Sequence, residues 1–140
     1  MAKRVYLDTN IIIDLFEESR PCYESSKKII QEFILDEECE VFINTDSLTT
    51  FFYIVRHQIK MSFEEAILKM ELLTQSFSLV SYAEDEIIEA LDLCKNEKFN
   101  DYEDTIQYVC AKKVNADLIL TNDKGFVSLD IEVKGTKNNA

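Results

Sequence analysis

Apolar positions along the chain alternate between short continuous runs and stripes at helical spacing. Val5-Tyr6-Leu7 is one such run. After Asp8-Thr9-Asn10 the spacing changes, and residues 11–16 read as a short helix. Ser19-Arg20-Pro21 marks a second helix start, with Pro near its first turn. Tyr23, Ile29, Ile30, Phe33 and Ile34 form the apolar stripe of that helix, and Asp36-Glu37-Glu38 closes it as a solvated acidic turn. Val41-Phe42-Ile43 predicts a second strand. Thr45 or Asp46 is expected to cap the next helix, with Leu48, Phe51, Phe52, Ile54 and Val55 inward. Ser62 and Glu65 form a capping box ahead of Ile67, Met70 and Leu73. Residues 77–82 predict a third strand, and Ser81 with Glu84 a second capping box before Ile87, Ile88, Leu91 and Cys94. A helix opening at 100–104 turns Ile106, Val109 and Cys110 inward. Leu118-Ile119-Leu120 is the fourth strand and 131–133 a weaker fifth. Strands alternating with helices predict an α/β domain with a parallel sheet of four to five strands. One domain is expected over residues 1–134, followed by a tail over 135–140 that frays.

Composition narrows the function more than the fold. Two Gly and one Pro in 140 residues leave little punctuation for long loops. Asp8 interrupts any apolar signal region behind the basic residues 1–4, and no run approaches a membrane span. A cytoplasmic protein with no membrane association is expected. The four cysteines share no metal-like spacing and read as free, mostly buried thiols; the one histidine, His57, reads as a helix-end residue. The net charge of −12 opposes non-specific binding to nucleic acid. A divalent cation or a basic partner would supply the missing positive charge.

Topology brings distant acids together. In an open parallel sheet, ligands bind outside the carboxyl ends of the strands. Asp8 ends the first strand there. Asp101 and Asp104 open the helix that leads into the fourth strand, Asp123 follows that strand, and Asp46 opens the helix after the second. Asp14 and Asp36 fall outside this group. Read singly, Asp8 and Asp101 could be helix caps, and Asp104 a first-turn carboxylate favoured by the helix dipole. Read together, the carboxylates cannot all ionise without compensation, and oxygen-only ligands suit Mg²⁺ or Mn²⁺. Such a site suits phosphoryl chemistry. No Gly-rich phosphate loop, serine elbow or Cys–His pair competes with it.

Three segments carry a resemblance: Val5-Tyr6-Leu7-Asp8-Thr9-Asn10, Asp101-Tyr102-Glu103-Asp104-Thr105-Ile106-Gln107, and Leu118-Ile119-Leu120-Thr121-Asn122-Asp123-Lys124-Gly125-Phe126. In this order, over nearly the whole chain, they resemble PIN-domain ribonucleases of the kind found as VapC-type toxins of toxin–antitoxin pairs. The resemblance implies an α/β/α three-layer domain with the first strand central, and metal-dependent endoribonuclease activity on RNA. It places Asp8, Asp104 and Asp123 at the metal-binding acid positions, with Asp101 an added catalytic candidate. It makes Asn10 and Thr121 supporting groups that orient carboxylates or water. It also implies homodimers and an antitoxin partner that covers the acidic groove. One position departs from the family pattern. Thr50 stands where many members carry a helix acid, and Asp46, one turn earlier, is the substitute available. That gap favours an alternative, a catalytically degenerate PIN domain that binds RNA or protein. A haloacid-dehalogenase-type phosphatase would want Asp where Asn10 stands, and a response-regulator receiver would want an acidic pair before the first helix.

Overall fold

A computed structural model describes residues 3–137. Five strands form one sheet: β1 (Lys3–Leu7), β2 (Cys39–Asn44), β3 (Ser78–Val80), β4 (Leu118–Leu120) and β5 (Glu132–Lys134). Their order is β3-β2-β1-β4-β5 and every pairing is parallel, so β1 is central. Six helices connect them: α1 (Thr9–Asp14), α2 (Tyr23–Leu35), α3 (Thr45–His57), α4 (Phe63–Ser76), α5 (Glu84–Leu93) and α6 (Tyr102–Lys113).

Period-two alternation in the strands divides the core. Val5, Leu7, Val41, Ile43, Leu118 and Leu120 face α1–α4, where Ile12, Phe51, Val55 and Leu73 meet them. Tyr6, Phe42 and Ile119 face the other way, toward Ala90 on α5 and Ile106, Val109 and Cys110 on α6. Both faces of the sheet are covered, as a parallel sheet requires.

The helix starts differ from expectation in three places. Asn44 caps α3 in place of Thr45 or Asp46, its Oδ1 accepting from the Ser47 amide at 2.8 Å. Helix α2 begins at Tyr23, not at Pro21. Residues before it form turns closed by Arg20 N–H to Glu17 O and Tyr23 N–H to Arg20 O, and the Arg20 side chain pairs with Asp14. Ala83, not Ser81, holds the cap position of α5. Alanine offers no acceptor, so only the reciprocal bond forms, the Ala83 amide donating to Glu86 Oε1 at 2.8 Å. Ser62 does cap α4, accepting from the Glu65 amide.

Cys110 is buried and Cys22, Cys39 and Cys94 are half-buried, all free; burial pushes the Cys110 thiol up to about 12, which leaves it inert. His57 ends α3 with its ring stacked on Tyr53 at 6.0 Å. The segment expected to fray is anchored at its start. Thr136 is buried, its amide donating to Asn122 Oδ1 at 2.9 Å and its hydroxyl bonded to Ser26. Residues 138–140 of that expected tail lie outside the described residues. Among the described residues no helix is long and apolar enough to cross a membrane.

Candidate active site

Three acids meet at the carboxyl edge of the sheet, brought there by β1, by the start of α6 and by the turn after β4. Asp8 occupies the cap position of α1, but its side chain makes no capping bond. Instead Thr121 Oγ1 donates to Asp8 Oδ2 at 2.7 Å, and the Asp123 amide donates to the same threonine oxygen at 3.1 Å. Asp8 and Thr121 are both buried. Burial is the main cause that lifts the Asp8 carboxyl to about 6; the bond from Thr121 opposes it, and the charges of Asp123 and Glu103 add to it.

Asp104 lies in the first turn of α6. Burial, a hydrogen bond shared with Asp123 and the charges of Asp8, Asp123 and Asp101 lift its carboxyl to about 8. Asp123 moves the opposite way, chiefly through that shared bond and secondarily through the Gly125 amide. The two shifts are opposite in direction, as expected of adjacent carboxyls that cannot both ionise without compensation. Among the described residues no three His, Cys, Asp or Glu side chains form a ready-made ligand shell. Asp104 and Asp123 are turned onto each other, and Asp8 onto Thr121.

The other candidates divide by place. Asp101 caps α6, its Oδ1 accepting from the Asp104 amide at 3.1 Å, and its charge acts on Asp104. Asn10 is exposed on the rim of a cleft shared with Asp123. Asp46 is engaged by Tyr82, whose hydroxyl donates to Asp46 Oδ2 at 2.6 Å. Thr50 lines the same cleft as Asp46 and Tyr82. Both therefore stand on the β2–β3 side of the acid group. Asp14, outside the group as expected, is nonetheless buried; it is held by Arg20 at 2.6 Å and by Ser26 and Asn122.

Beneath the acids lies a polar floor that the strand and helix patterns did not reveal. The hydroxyl of Tyr6 bonds Gln107 Oε1, and Asn44 Nδ2 donates to the same hydroxyl at 2.9 Å. Gln107 Nε2 donates to Thr9 Oγ1 at 2.7 Å, which bonds Ser47 Oγ at 2.7 Å. Five elements, β1, α1, β2, α3 and α6, are thus tied together beside Asp8 and Asp104. Gln107 sits one helical turn after Asp104, and that spacing was its only sequence signal. Glu103, whose charge acts on Asp8, had no signal apart from its place between two better candidates.

Comparison with known proteins gives a consistent result. The PIN domain family model matches residues 5–132. Ribonuclease VapC1 of Aquifex aeolicus (strain VF5) is 33% identical over 137 residues, covering 97% of this chain and 92% of its own. In fold, the chain is similar to a DNA-bound VapBC structure from Salmonella typhimurium, with TM-score 0.71 at 15% identity over 98% of this chain and 100% of that one. It is also similar to VapBC-1 from nontypeable Haemophilus influenzae, with TM-score 0.67 at 21% identity over 95% and 98%.

Proposed function

Because the chain belongs to the PIN domain family, we propose that it is a metal-dependent endoribonuclease that hydrolyses RNA phosphodiester bonds, acting as the toxin of a toxin–antitoxin pair. The observation that carries this reading is the meeting of Asp8, Asp104 and Asp123 at one sheet edge, with Thr121 linking the first to the last; the raised carboxyls of Asp8 and Asp104 agree with that crowding. Asp8, Asp104 and Asp123 would hold Mg²⁺ or Mn²⁺. The donor set fits such an ion, being hard carboxylate oxygen with no imidazole or thiolate in the group. A bound divalent ion supplies positive charge against the phosphate and acidifies a water. The side chains prepare for it. Thr121 fixes the rotamer of Asp8 through Oδ2 and, through the Asp123 amide, ties the position of one acid to the other. The repulsion that keeps Asp104 from ionising would be offset by a divalent ion held there. Asp101 orients the first turn of α6 and adds to the field on Asp104.

RNA must reach an acidic protein. Lys124, Lys134 and Lys137 line a cleft of about 680 Å³ that opens beside Asp123 and offers a local path for the phosphate backbone. Replacing Lys124 and Lys134 together by Ala is expected to weaken RNA binding at low salt. It should flatten the slope of log affinity against log salt by roughly 0.7 per lysine. An unchanged slope would remove these lysines from the RNA path. The decisive test of the activity is cleavage of a mixed cellular RNA pool with Mg²⁺ or Mn²⁺, wild type beside Asp8→Asn.

The partner inferred from the VapBC relatives is an antitoxin whose Arg or Lys side chain pairs with the acids. Homodimer formation in the cytoplasm belongs to the same proposal. Phe63, Leu68 and Leu72 on α4 are more than half exposed and supply apolar area for contact. Co-purification with the product of an adjacent reading frame is expected. A monomer with no such neighbour would remove the toxin assignment and leave the nuclease. The second reading, a binding module without catalysis, rests on Thr50, where a hydroxyl supplies none of a carboxylate's charge.

A further inference from the structure

A second cleft, of about 330 Å³, opens on the β2–β3 side of the acids; Thr50 and Asp46 line it, but Asp8, Asp104 and Asp123 do not. Its size is at the small end of ligand pockets. Tyr82 and Tyr102 stand at its walls, and Asp46, Thr50 and Glu103 stand around them. Its floor is the satisfied network of Asn44, Thr9, Ser47 and Gln107, so the bottom is rigid. Asp46 is positioned by the Tyr82 hydroxyl. Tyr102 is 45% exposed and directly precedes Glu103 and Asp104 at the start of α6. The cleft and the proposed cutting site therefore share one helical turn.

The chemistry of the lining selects a class of occupant. Two carboxylates, Asp46 and Glu103, repel a phosphate. A neutral, planar group with hydrogen-bond donors on its edge suits both the acids and the phenol rings. Single-stranded RNA is read in this way, with splayed bases stacked on aromatic side chains and hydrogen-bonded along their edges. A carboxylate only accepts hydrogen bonds. Guanine offers it two adjacent donors, N1–H and the N2 amine. Adenine and cytosine each set one amine beside a ring nitrogen acceptor, which a carboxylate repels.

We propose that this cleft is a nucleobase subsite that receives a guanine of single-stranded RNA next to the scissile bond, with Tyr102 as stacking surface and Asp46 as the acceptor that selects it. This deepens the nuclease reading and rests on it. It also gives Thr50 a place: a hydroxyl borders a base without adding a third negative charge.

The test has two arms. In the first, a random single-stranded RNA pool is cut with Mn²⁺ and the new ends are mapped. Guanine is expected to be enriched roughly 5- to 100-fold at one fixed position, the range of one two-point contact. Asp46→Asn should collapse that ratio, whatever its overall rate. Inosine at the same position, lacking the N2 amine, should lower kcat/KM. Tyr102→Ala should raise KM, and Tyr102→Phe should restore it. In the second arm, guanosine and adenosine 5′-monophosphates are titrated against tyrosine fluorescence, which is clean here because the chain has no tryptophan. Guanosine monophosphate should quench more strongly, and Asp46→Asn should lose the difference. Cleavage without a guanine preference, or a preference that survives Asp46→Asn, overturns the subsite and leaves the nuclease standing. Selective nucleotide binding without cleavage overturns the nuclease and keeps the subsite. Neither binding nor cleavage overturns both.

Discussion

Asp8→Asn is expected to lower RNA cleavage on the order of 10³-fold or more, while the metal-free protein keeps or gains thermal stability. The first half follows if Asp8 helps hold an ion whose charge stabilisation is worth several kcal/mol, with each 1.4 kcal/mol a factor of ten. The second half follows from the buried carboxyl. The folded protein holds Asp8 at about 6, against 3.8 for an ordinary Asp. Between those values the folded state binds more protons than the unfolded one, so stability falls as pH rises through that window. Asp104, raised to about 8 chiefly by burial and then by its acidic neighbours, adds the same sign toward pH 8, partly offset by Asp123, which moves the opposite way. Above that window, ionised Asp8 costs on the order of 3 kcal/mol, which a neutral Asn removes. Metal-free wild type should therefore melt at a lower temperature at pH 8 than at pH 5. Added Mg²⁺ or Mn²⁺ should raise the pH 8 value by binding the native state, and should raise Asp8→Asn much less. Asp8→Asn that unfolds the protein, together with a wild type indifferent to metal, would make Asp8 a structural residue and return the binding-module reading.

Asp14→Ala should be the most destabilising acid substitution in the chain, at about 3 kcal/mol. Its side chain is 5% exposed and accepts from Arg20 Nε, Ser26 Oγ and Asn122 Nδ2, joining α1 to α2 and to the turn after β4. Removing one partner of a buried pair leaves the others without compensation. Arg20, 32% exposed, regains part of its hydration, which keeps the cost from being larger. Arg20→Ala leaves the reverse problem, a carboxylate buried without its cation. A double-mutant cycle in urea should show the two changes strongly non-additive. Asp36→Asn is the contrast, since Asp36 is exposed at the end of α2 and should shift stability by about 0.5 kcal/mol or less. Equal effects at 14 and 36 would mean that the buried pair contributes nothing net.

The parallel sheet was legible because strands and helices alternate and β1, β2 and β4 are apolar runs that need cover on both faces; the central place of β1 was implied only by the family resemblance. The convergence of Asp8, Asp104 and Asp123 was legible for a different reason: strand direction alone assigns an edge to each. The caps were less so. Asn44, Thr45 and Asp46 are all good cap residues, and only the exact end of β2 chooses among them. Asp46 and Asp104 lie on the same edge, and pattern alone cannot say that Asp46 would meet Tyr82. The Tyr6–Asn44–Gln107–Thr9–Ser47 floor needs the register of two strands and the rotation of three helices to be known together. So does the burial of Asp14 and Thr136, each of which joins a nearby partner to one more than a hundred residues away, Asn122 for Asp14 and Ser26 for Thr136.

The place of β1 has a further consequence, in the order of synthesis. Its first neighbour, β2, arrives within a few tens of residues, but β4 is among the last segments made. Until then the nascent chain carries a bare apolar strand edge, the kind of surface that invites wrong pairing and chaperone attention. Asp8 is made at the start of that delay and Asp123 only after β4, so a chain that stops before β4 lacks the third acid. A polypeptide of this kind would lack its full acid group until β4 and the turn after it have been made. The interval before β4 emerges is time in which a partner could be waiting.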